Sequence, residues 1–131
     1  MQEYTSTTKT ASWSARTYTI SYNKGDYGSG TNTTATKDHG VNLTLKDDIF
    51  TRTNYIQKGW SVNSNGSTKD YDLKGTYSNN ADQTLYPYWV AVVSYKLGTY
   101  SETGSETTAE KIPGTNLTLK NRIFGRTGYT Q

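Results

Sequence analysis

The sequence predicts a mainly β fold, and three features of its pattern lead to this expectation. Several segments alternate apolar and polar residues and are rich in β-branched and aromatic side chains, as half-buried strands are. These segments end at turns that contain Gly and Asn. No stretch of ten residues combines the periodicity of an amphipathic helix with helix-capping residues.

The first predicted strands lie in the N-terminal half of the chain. The segment RTYTISY over residues 16–22 alternates, and it ends at the turn-prone sequence NKGD. The segment VNLTL over residues 41–45 places Val41, Leu43 and Leu45 on one face. We therefore expect each segment to bury one face.

Two longer segments are predicted to form strands further along. The segment NYIQKGWSV over residues 54–62 runs into a polar stretch in which Asn65 and Gly66 favour a tight turn. The segment TLYPYWVAVVSY over residues 84–95 is the longest β-prone run. Because proline has no N–H to donate, we expect Pro87 at an edge, a bulge or a strand boundary.

Helical structure is predicted to be minor. Only the segments KDDIF (46–50) and KDYDL (69–73) are candidates for a short helical turn.

The chain repeats part of itself. The sequence NLTLKDDIFTRTNYIQ at residues 42–57 returns as NLTLKNRIFGRTGYTQ at residues 116–131, with eleven of sixteen positions identical and an offset of 74 residues. Upstream, residues 20–27 resemble residues 93–100 at an offset of 73, so one residue is inserted between the two matching blocks. A period in this range indicates a tandem array of structural units.

The repeat divides the chain into three predicted parts. Residues 17–89 form one complete unit, and residues 90–131 form the front part of a second. Residues 1–16 are expected to be the end of a preceding unit or an N-terminal strand.

Composition limits the classes of function. Only 31% of the 131 residues are hydrophobic, but twelve Tyr and three Trp can build a small core beneath a polar surface. The net charge is +3, and the basic residues are scattered, so no nucleic-acid partner is expected. The absence of Cys excludes disulfides and thiolate metal sites. No apolar run is long enough to predict membrane insertion. No signal peptide follows Met1, so the signal of an exported parent protein is expected outside this sequence.

Three ordered blocks carry a family resemblance: FTRTNY at residues 50–55, the pair Gly59-Trp60, and TLYPYW at residues 84–89. In sequence and spacing they are similar to the Listeria–Bacteroides repeat, which is related to the B repeat of internalin B. The resemblance covers residues 17–89 and recurs, truncated, over residues 90–131.

The chain departs from the family pattern at four places. Asn54 stands where the family has Gly, although the second copy has Gly128 there. Gln57 and Gln131 replace an aromatic or aliphatic residue, and Pro87 replaces a common Ala.

The resemblance implies a compact β-grasp-like module that occurs in arrays on exported bacterial surface proteins. There it serves mainly as a stalk or spacer and sometimes contacts the host. Alternation and resemblance together predict a core of aromatic and aliphatic side chains: Tyr18, Ile20, Leu43, Leu45, Phe50, Tyr55, Trp60, Leu85 and Trp89.

No catalytic residue, metal ligand or cofactor is predicted. His39 is the sole histidine and lies in a polar loop without a nucleophile nearby in sequence. The run NSNGSTKDYD (63–72) offers oxygen ligands, but Lys74 stands where a calcium loop needs Glu. The paired Asp47 and Asp48 are not kept in the second copy.

Tyrosine side chains are the strongest candidates for ligand contact, since an exposed ring can stack on a sugar. The candidates are Tyr27, Tyr77, Tyr86 and Tyr88. For Trp60 and Trp89, packing in the core is favoured over ligand contact.

The sequence thus predicts a non-enzymatic structural repeat of an extracellular bacterial surface protein, acting as a stalk, a spacer or an adhesion module. One alternative is a carbohydrate- or host-protein-binding module that uses exposed tyrosines. Another is a phage virion component or other assembly subunit joined by strand exchange. The expected partners are neighbouring repeats or subunits, with a host surface protein or glycan as a further candidate, and the expected location is the bacterial cell surface or the medium.

Overall fold

The computed structural model describes residues 7–100 and 102–131, which form seven β-strands. No helix occurs in this part of the chain, so the helical turns predicted at residues 46–50 and 69–73 are absent. The mainly β expectation is confirmed, while the β-grasp assignment stays a prediction. The strands are β1 (Thr17–Tyr22), β2 (Thr33–Asp38), β3 (Leu43–Thr44), β4 (Tyr55–Ser61), β5 (Thr76–Tyr77), β6 (Gln83–Tyr95) and β7 (Thr107–Lys111).

A mixed five-stranded sheet contains most of these strands. Its order is β2-β1-β6-β4, and β7 also pairs with β6. β1 is antiparallel to β2 and parallel to β6, through pairs that run from Ile20–Gln83 to Tyr22–Leu85. The two short strands β3 and β5 form a separate antiparallel pair.

β6 serves two parts of the molecule. Its N-terminal portion pairs with β4 from Tyr86 to Ala91, and its C-terminal portion pairs with β7 from Ala91 to Tyr95. Ala91 is paired with both Tyr55 and Lys111, which therefore lie on opposite edges of β6. This single strand of 13 residues joins what we call the complete unit (residues 17–89) to the half-unit (residues 90–131).

The strands predicted at residues 16–22, 54–62 and 84–95 correspond to β1, β4 and β6. The one predicted at residues 41–45 shrinks to the two residues of β3. At its start the N–H of Val41 donates to the carbonyl of Asp38 in a turn, and at its end the N–H of Leu45 adds one more bond just before β5, at the carbonyl of Gly75. β2, β5 and β7 were not predicted.

Pro87 lies inside β6 and is buried. It is paired with Trp60, whose own N–H donates to the carbonyl of Tyr71, so the Pro87–Trp60 pair exchanges no backbone hydrogen bond. The missing proline N–H therefore breaks no bond with β4. A register shift in β4 between Gln57 and Gly59 lies close by.

The core lies between the sheet and the β3–β5 pair. Tyr22 and Phe50 meet Trp60 edge-on, with ring centroids 4.8 Å and 6.0 Å away, and the indole N–H of Trp60 donates to the carbonyl of Lys46 at 2.9 Å. The buried cluster consists of Ile20, Tyr22, Leu45, Phe50, Trp60, Tyr77, Leu85 and Trp89.

Six of the nine predicted core residues belong to this cluster, and three do not. Leu43 and Tyr55 are partly buried and pack against the cluster. Tyr18 is also partly buried but lies outside the cluster, since its hydroxyl reaches the end of the sheet, 2.9 Å from Nδ1 of His39. Expecting Tyr18 in the core was wrong.

The half-unit reproduces the β1–β2 pairing of the complete unit in the end of β6 and in β7, but residues 117–118, the counterparts of β3, form no strand. Pairing of Tyr22 with Thr33 and of Tyr18 with Lys37 returns as Tyr95 with Thr107 and Ala91 with Lys111, at the offsets of 73 and 74 residues. The isolated bridge from Ser29 to Thr51 returns as a bridge from Thr103 to Gly125. Asn54 and Gly128 share a left-handed backbone, with φ of 64° and 81°. The family glycine is thus replaced here by Asn, a residue type that also tolerates this conformation.

Residues 7–16 form neither strand nor helix and are exposed throughout, with Trp13 90% accessible. Residues 1–6 of the predicted N-terminal part lie outside the described residues. Among the described residues, no helix is long and apolar enough to cross a membrane.

Candidate functional site

A polar groove lies over the junction of β1 and β6. The outward side chains of β1 alternate with its core side chains, so Thr19 and Ser21 face this groove while Ile20 and Tyr22 face inward. The backbone N–H of Thr19 donates to Oδ1 of Asp82 at 2.8 Å and fixes one wall. The groove has a volume of about 330 Å³ and is lined by Thr19, Ser21, Val62, Asp82, Gln83, Thr84 and Tyr86.

A stack of Tyr, Arg and Tyr forms a second surface feature. The guanidinium carbon of Arg52 lies 4.4 Å from the ring centroid of Tyr27 and 3.5 Å from that of Tyr55. The half-unit repeats this stack, with Arg126 at 4.8 Å from Tyr100 and 3.9 Å from Tyr129. Arg52 and Arg126 thus hold the Tyr27 and Tyr100 loops against the tyrosine that follows three residues after each Arg, which gives this Arg a structural role.

The four tyrosines predicted to contact a ligand differ in how exposed their side chains are. Tyr27 is 55% exposed and carries the Arg52 stack on one face, and Tyr86 is partly buried at the groove. Tyr77 is 1% exposed, and its hydroxyl donates to the carbonyl of Ala81 at 2.9 Å. Tyr88 is 8% exposed. The expectation that Tyr77 and Tyr88 present exposed rings is corrected, because packing leaves neither ring accessible.

Catalytic and metal-binding groups do not gather in the part of the chain that the structure describes. His39 is exposed and is paired with the Tyr18 hydroxyl. The oxygens of the 63–72 segment are used within their own turn, since Asp70 accepts from the N–H of Val62 and Asp72 pairs with Lys69. Across residues 7–100 and 102–131 no group of three His, Cys, Asp or Glu side chains is placed to hold a metal ion.

Two buried polar side chains of the complete unit, Lys37 and Gln57, form hydrogen bonds with other parts of that unit. Lys37 is 1% exposed, and its ammonium donates to the carbonyl of Asp38 and to Oδ1 of Asn80, each at 3.0 Å. Gln57 is 3% exposed, and its Oε1 accepts from the N–H groups of Ile49 and Phe50, both at 3.1 Å. Gln57 therefore replaces an apolar family residue without leaving a buried polar atom unpaired.

An open slot replaces this core in the half-unit. Its volume is about 310 Å³, and we call it the C-terminal slot; it is lined by Lys96, Gly98, Glu102, Phe124, Gly125, Arg126, Tyr129, Thr130 and Gln131. Phe124 and Gln131 are the counterparts of Phe50 and Gln57 by the offset of 74 residues. In the complete unit the corresponding space is filled by β6 at Trp89, which pairs with Gln57 and whose Cζ2 is 3.2 Å from a Cβ built on Gly28.

Sequence reasoning missed Asp82 and Gln83 of the groove and the whole C-terminal slot. The outward alternation of Thr19 and Ser21 was the available signal for the groove. The slot was signalled by the truncated repeat, which lacks counterparts of Trp60 and Trp89.

Comparison with known proteins gives one match. Residues 18–87, which are 70 of the 131 residues, match the Listeria–Bacteroides repeat domain. A search of curated proteins and a search of solved structures each found no match.

Proposed function

The chain belongs to the Listeria–Bacteroides repeat family, and from this premise we propose that it is a non-enzymatic structural repeat of an extracellular bacterial surface protein, acting as a stalk or spacer. Repeats of this family are typical of extracellular bacterial proteins.

The continuous strand β6 is the observation that carries the proposal. A spacer must hold successive units in a fixed relation, and here no linker separates them: Trp89 packs in the complete unit, while Ala91 already pairs with Lys111 of the half-unit. Few rotatable bonds are therefore free at the junction.

Two further contacts brace the same junction. The N–H of Val92 donates to the carbonyl of Asn54 at 2.8 Å, and Nζ of Lys58 lies 2.9 Å from Oε1 of Glu110. The first bond extends the pairing of β6 past the complete unit. The second joins β4 to β7 through an exposed ion pair, which contributes little energy but adds a point of contact.

The proposal predicts a narrow distribution of distances across the junction. Because the chain contains no Cys, spin labels can be introduced cleanly at Thr36→Cys and Thr108→Cys, two exposed positions on β2 and β7. Double electron–electron resonance on this labelled pair should give a single narrow peak. A four-residue Gly-Ser insertion between Ala91 and Val92 should broaden it.

The matched control places the same insertion after Gly114. A Cβ added at this glycine would meet no other atom within 4 Å, so the position has open space around it. That insertion should leave the distance distribution narrow. A broad distribution in the uninserted chain contradicts a stiff junction and with it the spacer role.

A second candidate function, glycan binding, is favoured by the groove at Tyr86. Hydroxyl, amide and carboxylate side chains line this groove together with the aromatic ring of Tyr86, so it offers both hydrogen-bonding groups and a ring on which a sugar can stack. Titration with neutral oligosaccharides should shift the NMR signals of Thr19 and Tyr86. The substitution Tyr86→Ala should abolish these shifts, and Tyr27→Ala, outside the groove, should keep them. The absence of any shift at millimolar sugar rejects this function.

A further inference from the structure

The turn at residues 63–66 contains the single Asn-Gly pair of the chain, Asn65-Gly66. The N–H of Gly66 closes this turn by donating to the carbonyl of Asn63 at 3.0 Å. Asn65 is exposed, whereas Gly66 is buried and has a left-handed backbone with φ of 64°. An asparagine side chain that water reaches therefore precedes a backbone nitrogen that carries no neighbouring side chain.

Both sides of this turn are fixed to other parts of the complete unit. On one side, the carbonyl of Gly66 accepts from the N–H of Trp89 at 3.1 Å. On the other side, the carbonyl of Ser64 accepts from the N–H of Asp26 at 3.0 Å, and the Ser64 hydroxyl donates to Oδ2 of Asp26 at 3.1 Å. All of these contacts lie within residues 17–89, so the turn is held by the complete unit itself.

The fold requires glycine after Asn65. A Cβ at Gly66 would collide with the carbonyl oxygen of Pro87 and would lie 2.8 Å from Cδ1 of Trp89, so a larger residue fits only if β6 moves. Glycine is also the residue that least restricts its own backbone. The packing against β6 thus keeps, next to Asn65, the residue whose nitrogen most readily approaches an asparagine side chain.

The side-chain carbonyl of Asn65 is polarised by two donors. Its Oδ1 accepts from the N–H of Ser67 at 3.1 Å and from the Ser67 hydroxyl at 2.9 Å. Negative charge develops on this oxygen when a nucleophile adds to Cγ, and donors directed at the oxygen stabilise that charge. The turn therefore places an activated carbonyl beside a nucleophile, the nitrogen of Gly66.

We propose that Asn65 is a site of self-modification, at which the chain converts this asparagine to aspartate and isoaspartate. The Gly66 nitrogen bonds to Cγ of Asn65, the bond from Cγ to Nδ2 breaks, and ammonia leaves with the proton of the Gly66 N–H. Water then opens the resulting succinimide ring. Addition of water at Cγ gives aspartate, and addition at the main-chain carbonyl carbon of Asn65 gives isoaspartate.

Isoaspartate at position 65 weakens the attachment of the turn to β6. The main chain then runs through Cβ and Cγ of this residue and becomes longer. Because Gly66 packs against Pro87 and Trp89 without space for a methyl group, the longer chain cannot keep the Gly66–Trp89 hydrogen bond. Trp89 lies two residues before Ala91, which pairs with β7. We expect the modification to loosen the junction, and this part of the inference rests on the proposed spacer function.

Opening of the turn controls the rate of conversion. The Gly66 N–H must leave the carbonyl of Asn63 before its nitrogen reaches Cγ, and turns open locally without unfolding of the whole domain. Asp26→Ala removes the hydrogen bond that holds Ser64, so it should raise the rate about two- to tenfold. Asp48→Ala, which removes an exposed carboxylate on another loop, is the matched control and should leave the rate unchanged.

Mass spectrometry of the full chain tests the chemistry. After several weeks of storage of the folded chain at mildly alkaline pH, peptide mapping should locate aspartate and isoaspartate at residue 65. Asn65→Gln should abolish both products, because the longer side chain would have to close a larger ring. Asn63→Gln, in the same turn, should retain them.

Double electron–electron resonance on the Thr36→Cys and Thr108→Cys labels tests the consequence for the junction. The stored chain should give a broader distance distribution than the fresh chain. The stored Asn65→Gln variant should keep the narrow distribution.

Three results overturn the inference. The first is a folded chain that keeps Asn65 while the same chain converts it in urea. The second is an equal rate of conversion in Asp26→Ala and in the unaltered chain. The third is conversion to isoaspartate without a broader distance distribution. A broad distribution in the fresh chain contradicts the spacer function and the loosening together, whereas the modification itself is judged by mass spectrometry.

Discussion

The complete unit and the half-unit share a backbone pattern but not a core. Tyr22 is 1% exposed, whereas Tyr95, at the same place in the strand, is partly exposed. Leu45 is 2% exposed and its counterpart Leu119 is 65% exposed. The register of β1 with β2 nevertheless recurs in β6 with β7, and the Ser29–Thr51 bridge and the Arg–Tyr stacks recur as well. The hydrogen bonds of the strand pair therefore form without counterparts of residues 58–89, whereas the burial of Tyr22 and Leu45 depends on those residues.

The largest difference is expected for the phenylalanine shared by the two units. Phe50→Ala removes a ring that packs edge-on against Trp60 and should cost about 3–5 kcal/mol of unfolding free energy. Phe124→Ala removes a ring without such a partner in the structure and should cost less than about 1 kcal/mol. Urea unfolding followed by near-UV circular dichroism measures both. Equal losses in the two variants contradict the contrast in burial.

The next difference is expected for the two glutamines. Gln57→Leu leaves the N–H groups of Ile49 and Phe50 without their acceptor in a buried place, at a cost of about 1–3 kcal/mol. Gln131→Leu breaks the same two bonds where water replaces them, so the change should stay within about 0.5 kcal/mol. Chemical unfolding at neutral pH compares the pair. A neutral Gln57→Leu shows that the strand prefers the apolar residue common in the family.

Alkaline pH probes the burial that distinguishes the complete unit. Burial raises the pKa of the Tyr22 and Tyr77 hydroxyls above the ordinary value. A raised pKa means that the folded state holds these protons more tightly, so the stabilisation is complete below pH of about 10 and is lost as the pH rises through the folded pKa. Urea midpoints at pH 8 and pH 11 should therefore fall more steeply for the unaltered chain than for Tyr22→Phe/Tyr77→Phe. Identical slopes contradict the burial of these hydroxyls.

The smallest effect is expected at Asp47, whose counterpart is Asn121. A hydrogen bond from Lys74, with Nζ 2.7 Å from Oδ2, is the main cause that lowers the pKa of the Asp47 carboxyl. The stabilisation from a lowered pKa is present at neutral pH and is lost as the pH falls below about 4. Asp47→Asn should therefore change Tm little at pH 7, as for other exposed pairs, and should flatten its decline at low pH. An unaltered acid profile shows that the ion pair has no measurable effect.

β-Prone composition predicted β4 and β6, and alternation predicted β1. It missed β2 and β7 because their inward positions hold Thr, Ala and Lys, so no apolar period shows in TTATKD or TTAEK. One of the two acceptors of the buried Lys37 ammonium is Asn80, 43 residues away, and sequence spacing does not reveal such a partner.

The candidate site was less predictable than the fold. Tyrosine suits both a core and a surface, so the sequence did not separate buried Tyr77 and Tyr88 from accessible Tyr27. The separation depends on which residues cover each ring. The repeat in the sequence shows that residues 90–131 hold no counterparts of Trp60 and Trp89. The shape of the C-terminal slot could not be predicted, because it depends on the strand pairing that the half-unit retains.

The parallel pairing of β1 with β6 has a mechanical consequence. The complete unit enters through β1 and leaves through β6, and these strands run side by side in the same direction. When the two ends are pulled apart, the strands must slide past each other. The strands are then loaded in shear, so their backbone pairs resist the force together and do not open one after another. These pairs are Ile20–Gln83, Ser21–Thr84 and Tyr22–Leu85.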